Sequence, residues 1–156
     1  MIDDDTLDTV YYQGRPSLVD FIQEAVTFGR RVTLGCFRVI EGQEEPELCG
    51  LGWAMNAVGM GKYVKADCGM VFFKKQTCKT DNLTFGKMML RCLFINHAID
   101  CLYGYTPSQN KLALRYAKGL GMSLHGPIPG YCYWKGELAD GWISHISKQQ
   151  FLERNP

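Results

Sequence analysis

Cysteine and histidine are the residue types in this chain that could bind a metal ion or attack a substrate. The sequence has 7 cysteines and 3 histidines. An odd cysteine count, with no CxxC pair and no paired Cys/His spacing, argues against a disulfide framework and against a zinc site. We therefore interpret most cysteines as small apolar residues of the interior and expect no metal. His125 and His145 flank the last hairpin. Either could enter a substrate pocket, but histidines without a partner pattern are usually structural or exposed.

The most informative segment covers residues 106–122, TPSQNKLALRYAKGLGM. Asn110 opens a predicted helix, Ala113 follows three residues later, and Leu120, Gly121 and Met122 end it. This spacing resembles the C-terminal signature of the GNAT acetyltransferase superfamily, and the likeness in element order extends back to Ser17. The sequence has no Gly-x-Ser-x-Gly elbow, Walker loop or dinucleotide fingerprint, so those enzyme classes are set aside.

The resemblance implies acyl transfer from acetyl-CoA to an amine. In that family two neighbouring parallel strands part, and the pantetheine arm lies between them like an extra strand. The pyrophosphate binds amides at the N-terminus of the central helix, where the charge and the free N–H groups are suitable. Here the parting strands would end at residues 70–73 and 102–105, and the phosphate loop would be residues 78–86. The implied cofactor-binding residues are Val71, Phe73, Lys79, Thr84, Phe85, Gly86, Lys87 and Asn110.

The sequence departs from the family pattern at two places. The family's phosphate loop usually carries Gln or Arg and several small residues, whereas this chain has Asp81 and keeps only Gly86. A carboxylate beside pyrophosphate is electrostatically unfavourable, although a nearby lysine could compensate. The tyrosine that protonates the leaving thiolate in many members falls on Ala117. Its neighbour Tyr116 is rotated from that direction by about 100° around the helix.

Two proton-transfer residues and an aromatic group complete the candidate site that the resemblance implies. Asp67 is the candidate general base, because a carboxylate on the third strand can accept an amine proton. A solvated position is its alternative. Tyr116 is the candidate general acid, with packing or exposure at the surface as its alternative. The substrate-binding candidates, which could instead serve only strand packing, are Tyr131, Tyr133 and Trp134.

Spacing and turn signals predict the elements that must position these residues. The predicted helices cover residues 17–28, 85–99 and 111–120. The predicted strands cover residues 32–40, 48–57, 63–73, 101–105, 124–125, 131–135 and 142–146. This order predicts a single α/β domain over residues 1–156, with an antiparallel meander, a parallel crossover and a closing hairpin. Residues 1–16 are expected to be a lead and residues 148–156 a tail.

Composition and charge limit the possible partners. Hydrophobic residues make up 46% of the chain and charged residues 21%, as in globular proteins. A formal net charge of +1 gives no electrostatic drive toward nucleic acid or an anionic membrane. The most apolar stretch, residues 88–105, is interrupted by charged residues and cannot span a bilayer. The acidic start MIDDD is unlike a signal peptide, so we predict a cytoplasmic protein.

These observations favour an acetyl-CoA-dependent N-acetyltransferase in which an amine attacks the thioester directly. The acceptor is a small-molecule or protein amine, and a homodimer is possible because dimers are common in the family. The second hypothesis is a catalytically impaired GNAT-like binding or assembly protein. The chain is also similar to small GNAT-like proteins of phages, some of which have head-assembly roles. The third is an unrelated α/β fold with the same element order.

Overall fold

The computed structural model describes residues 32–39, 42, 44–72 and 79–156, with side chains from Asn82 onward in the last range. The predicted lead and the helix that starts at Ser17 lie outside these residues. In this part of the chain the elements are β1 (Val32–Arg38), β2 (Glu47–Met60), β3 (Tyr63–Phe72), α1 (Lys79–Asn96), β4 (Cys101–Pro107), α2 (Lys111–Gly119), β5 (Ser123–Trp134), β6 (Glu137–Ser147) and α3 (Lys148–Arg154).

The described strands form one mixed sheet in the order β1-β2-β3-β4-β6-β5. β3 and β4 run parallel, and the other neighbouring pairs are antiparallel. Parallel neighbours need a crossover connection, which α1 provides here. The predicted α/β class, with a front meander and one parallel crossover, is therefore confirmed.

The hydrophobic core lies on one face of this sheet. α1 buries side chains at helical spacing, and Leu102 of β4 and Ile146 of β6 pack into the same cluster. Successive side chains of a strand point to opposite faces. Because Leu102 faces α1, its neighbours Tyr103 and Tyr105 belong mainly to the opposite face. The α1 members of the core are Met89, Leu90, Leu93 and Phe94, each at most 1% exposed.

Both ends of α1 and the predicted C-terminal tail differ from the prediction. α1 begins at Lys79 rather than residue 85 and ends at Asn96 rather than residue 99. Ala98 adopts a left-handed backbone with φ of 51°, which the helix cannot continue through. The predicted tail over residues 148–154 is the helix α3. Ser147 and Gln150 form a capping box at its start, and Phe151 is buried against Phe94, so local and tertiary contacts both stabilise it.

The last third of the chain forms two long strands rather than three short ones. Residues 126–130, GPIPG, separate two of the predicted short strands but lie within β5. The strand accommodates them through register shifts between His125 and Ile128 and between Ile128 and Cys132. The chain reverses instead at Lys135 and Gly136, whose φ values of 53° and 87° suit a two-residue hairpin turn. The resulting hairpin runs along β4.

Candidate active site

The parallel strands β3 and β4 are paired along only part of their length. Their register joins Lys65 to Cys101, Ala66 to Leu102 and Asp67 to Tyr103. Beyond the last pair β3 continues to Phe72 and β4 continues to Pro107 without pairing to each other. The predicted parting of these strands is therefore confirmed, and Asp67 lies where it begins.

Two helices start beyond this gap. α1 follows β3 along the chain and α2 follows β4. The first N–H groups of a helix lack intrahelical partners and carry partial positive charge, which suits an anion. Residues 79–86, predicted as a phosphate loop, form the first turns of α1, so their conformation differs from the expected loop. Phosphate binding by this segment stays a prediction. The amides that could bind an anion are therefore those of the first helical turn, which begins at Lys79.

Asn110 is the N-cap of α2. Its Oδ1 atom accepts a hydrogen bond of 3.1 Å from the backbone N–H of Ala113. This cap satisfies one free N–H of the helix and fixes the side chain three residues after the end of β4. The NH₂ group is the end of the amide that could donate to a ligand.

Both carboxylate oxygens of Asp67 are held by neighbouring side chains. Tyr105 donates to Oδ1 at 3.0 Å, and Asn56 donates to Oδ2 at 2.9 Å. The Tyr105 ring also contacts the ring of Tyr131, with centroids 5.9 Å apart. Burial raises the pKa of Tyr105, and its hydrogen bond to Asp67 adds to the shift. The phenol therefore keeps its proton and remains a donor to the carboxylate.

No family model matches the chain, and no curated protein sequence matches it. Among solved structures, the spermidine N-acetyltransferase of Vibrio cholerae in complex with CoA and spermine superposes with a TM-score of 0.78. The identity is 12%, over 96% of this chain and 86% of that one. The chain has the GNAT acetyltransferase fold.

A second match to the GNAT fold is RimJ of Mycobacterium smegmatis, solved in complex with CoA-disulfide. Its TM-score is 0.69 at 16% identity, and the alignment covers 86% of this chain and 61% of RimJ. Identities this low establish the shared fold, and the chemistry has to be argued from the residues of this chain.

Acetyl-CoA is the co-substrate that the GNAT resemblance implies, and two polar atoms beside the gap fit it. Among the described residues, Asn82 Oδ1 and Ser108 Oγ are buried without a hydrogen-bond partner. Asn82 lies in the first turn of α1, and Ser108 follows β4 directly. A pantetheine arm carries amide N–H and C=O groups, so Asn82 could accept a hydrogen bond from it and Ser108 could donate one. These residues therefore fit the group.

The other predicted cofactor residues that the structure describes lie on β3 and α1. Val71 is buried on β3 beyond the last pair with β4. Phe85 is half-buried, and its ring meets that of Phe72 with centroids 5.7 Å apart. Thr84 and Lys87 are exposed on α1. Phe73 and the side chains of Lys79 and Asp81 lie outside the described residues.

Tyr116 packs between α2, α1 and the end of β3. Its hydroxyl donates to the backbone carbonyl of Asn82 at 2.6 Å and lies 3.4 Å from the sulfur of Met70. Burial raises the pKa of Tyr116, with a further contribution from Cys36 that a contact with the Gly86 backbone opposes. The hydroxyl is therefore protonated but already bonded within the fold. Its role as a general acid stays a prediction.

The two histidines near the final hairpin form a pair. His125 Nε2 and His145 Nδ1 are 3.2 Å apart, and Tyr103 stacks on the other side of His145 at 6.0 Å. Burial lowers the pKa of His145, and the neighbouring His125 lowers it further. Sequence reasoning treated these histidines as unpaired, because only the register of β5 on β6 brings them together.

The remaining candidates divide between the two faces of β5. Tyr131 meets Tyr105 as described above, whereas Tyr133 is half exposed two residues further along, and strand alternation turns Trp134 to the other face. In the described part of the chain, no group of three or more His, Cys, Asp or Glu residues could hold a metal ion. No described helix is long and apolar enough to cross a membrane. The described cysteines are free thiols.

Proposed function

We propose that this protein is an acetyl-CoA-dependent N-acetyltransferase that acts on a small-molecule amine. The observation that carries this proposal is the arrangement of Asp67. Both of its carboxylate oxygens accept hydrogen bonds, and it lies at the point where the parallel strands part. Acetyl-CoA supplies the activated thioester carbonyl. The starts of α1 and α2, with Asn82, Ser108 and Asn110, would hold it.

Asp67 would act on the amine. Its negative charge attracts the ammonium form, and the rings of Tyr105 and Tyr131 add aromatic faces that favour a cation. Asp67 then accepts one ammonium proton, so the free nitrogen can attack the carbonyl while the C–S bond breaks. The CoA thiolate that leaves takes up the second proton, which the nitrogen loses as the amide forms. Holding both reactants at one place supplies much of the rate. The spermine in the Vibrio cholerae enzyme complex supports a small amine as the acceptor class.

The first experiment is isothermal titration of the protein with acetyl-CoA, followed by acetylation of a panel of small amines that includes spermine. We expect micromolar binding and a measurable turnover. Replacing Asp67 with Asn should lower kcat by about 10²- to 10⁴-fold, the usual range for a general base. Glu137→Gln is the matched control, because Glu137 is exposed at the hairpin turn.

Two outcomes would contradict the proposal. Absence of acetyl-CoA binding at millimolar ligand would remove the enzyme hypothesis and leave the binding or assembly hypothesis. Turnover by Asp67→Asn equal to that of the Glu137→Gln control would retain the transferase but remove the carboxylate from its mechanism.

A further inference from the structure

A cavity of about 530 Å³ lies at the amino-terminal ends of β3 and β4. The cavity lies on the amino-terminal side of the Asp67–Tyr103 pair, whereas β3 and β4 part on its carboxyl-terminal side. Tyr103 lines the cavity and also stacks on His145. The cavity is therefore next to the candidate active site but separate from the gap assigned to acetyl-CoA.

Two lysines supply positive charge to this cavity. Lys65 comes from β3 and Lys148 from the start of α3. Within the described residues, neither ammonium group has an ion-pair partner. Two lysines that line one cavity without a carboxylate partner favour an anionic ligand.

The one acidic residue among those that line the cavity is tied to the backbone. Asp100 Oδ2 accepts a hydrogen bond of 2.8 Å from the Val64 N–H. Its own N–H donates to the Val64 carbonyl at 2.8 Å, and its carbonyl accepts from the Lys148 N–H at 2.8 Å. Asp100, which directly precedes β4, is therefore hydrogen-bonded to both β3 and α3. Two ammonium groups against one carboxylate leave the lining with a net positive charge.

The rest of the wall is largely apolar. Met60 and Tyr63, at the end of the β2–β3 hairpin, are each 59% exposed, and Leu152 of α3 lies on the other side. A cavity of this size is within the range of small-molecule sites. Positively charged groups beside an apolar wall favour a ligand with an apolar body and an anionic head.

We propose that this cavity binds a small organic carboxylate, held by Lys65 and Lys148 at its head and by Met60 and Tyr63 along its body. This site goes beyond the acetyl transfer proposed above and does not depend on it. A ligand here would lie against Tyr103, whose partner in the register of β3 and β4 is Asp67.

The test uses two ligands that share a body and differ in head charge, 4-phenylbutyrate and 4-phenylbutylamine. Isothermal titration of the full chain, without acetyl-CoA, should give an affinity for the carboxylate about tenfold tighter than for the amine. Lys65→Gln and Lys148→Gln should each weaken carboxylate binding several-fold, whereas Lys118→Gln, an exposed lysine of α2, should not. Thermal unfolding of each variant checks that it folds.

Cys101 reports on the location of the ligand, because its side chain lines the cavity and is half-buried. Bound 4-phenylbutyrate should slow alkylation of Cys101 by N-ethylmaleimide and leave Cys92 of α1, which does not line the cavity, unchanged. Equal affinity for the two ligands would overturn the proposal. So would unchanged binding by folded Lys65 and Lys148 variants, or unchanged alkylation of Cys101.

Discussion

The hydroxyl of Tyr105 donates a hydrogen bond of 3.0 Å to Oδ1 of Asp67, joining β4 to β3 just where their pairing stops. Asn56 holds the second oxygen of the same carboxylate from β2. Three adjacent strands therefore fix the orientation of one acidic side chain. A base held this way needs little reorganisation to accept a proton, so its partners should matter for rate as well as for stability.

Replacing Tyr105 with Phe removes this hydrogen bond and keeps the ring. We expect kcat for amine acetylation to fall about tenfold, since a hydrogen bond to a charged group contributes about 1.5–3 kcal/mol. KM for acetyl-CoA should stay constant, because Tyr105 is not among the residues assigned to the cofactor. Tyr63→Phe is the control, because Tyr63 is exposed at the start of β3, four residues from Asp67. An unchanged kcat in Tyr105→Phe would show that Asp67 needs no help from the phenol.

Gly86 allows Tyr116 to pack against α1. A Cβ atom at Gly86 would clash with the Tyr116 hydroxyl and would lie 2.7 Å from Leu120 Cδ2. We expect Gly86→Ala to reduce the free energy of unfolding by about 1–3 kcal/mol, the usual cost of overpacking, as measured by urea denaturation. Gly59→Ala is the control, because nothing lies within 4 Å of its added methyl group.

The same position tests the function of Tyr116. Adding Tyr116→Phe to Gly86→Ala should recover part of the lost stability, because the closest clashing atom is gone. Tyr116→Phe alone should change kcat by less than about tenfold if the hydroxyl only packs against the Asn82 carbonyl, and by more if it is the general acid. Equal stability of Gly86→Ala and Gly59→Ala would contradict the close packing.

The sequence was informative about this site where the signal was local. The resemblance of residues 106–122 led to Asn110, and a carboxylate on the predicted third strand led to Asp67. Tyr105 and Asn56 were missed as partners of Asp67, because their contacts depend on the register of three strands and on an irregularity in β2. Asn56 has a φ of 54° at that irregularity, which sequence spacing does not reveal.

The predicted helix boundaries were wrong for a related reason, because they too depend on tertiary contacts. Residues 148–154 are too few to form a stable isolated helix, so the helix depends on Phe151 packing against Phe94. The start of α1 was predicted too late because Asp81, Asn82 and Thr84 are residue types that favour the caps of helices over their interiors. In the structure all three residues lie inside the helix. The backbone carbonyl of Asn82 accepts a hydrogen bond from the Tyr116 hydroxyl.

Asn110 allows the cap and the ligand roles of one side chain to be separated. Asn110→Ala should lower the free energy of unfolding by about 1 kcal/mol, because the Ala113 N–H loses its partner. Asn110→Ser should keep most of the stability, since serine is also a good cap. If the amide also donates to acetyl-CoA, both variants should weaken its binding in isothermal titration, by roughly tenfold. Normal acetyl-CoA affinity in Asn110→Ser would restrict Asn110 to capping.

The His125–His145 pair makes stability depend on pH. The pKa of His145 lies below its ordinary 6.5 in the folded protein, so the unfolded chain binds its proton more readily. Its contribution to stability is therefore present above pH 6.5 and is lost as the pH falls through the folded pKa. The unfolding temperature should drop between about pH 7.5 and about pH 5, and His145→Gln should drop less over the same range. His97→Gln, at an exposed histidine after α1, should follow the wild type. Parallel pH profiles for the wild type and His145→Gln would mean that protonating both histidines of the pair does not destabilise the folded protein.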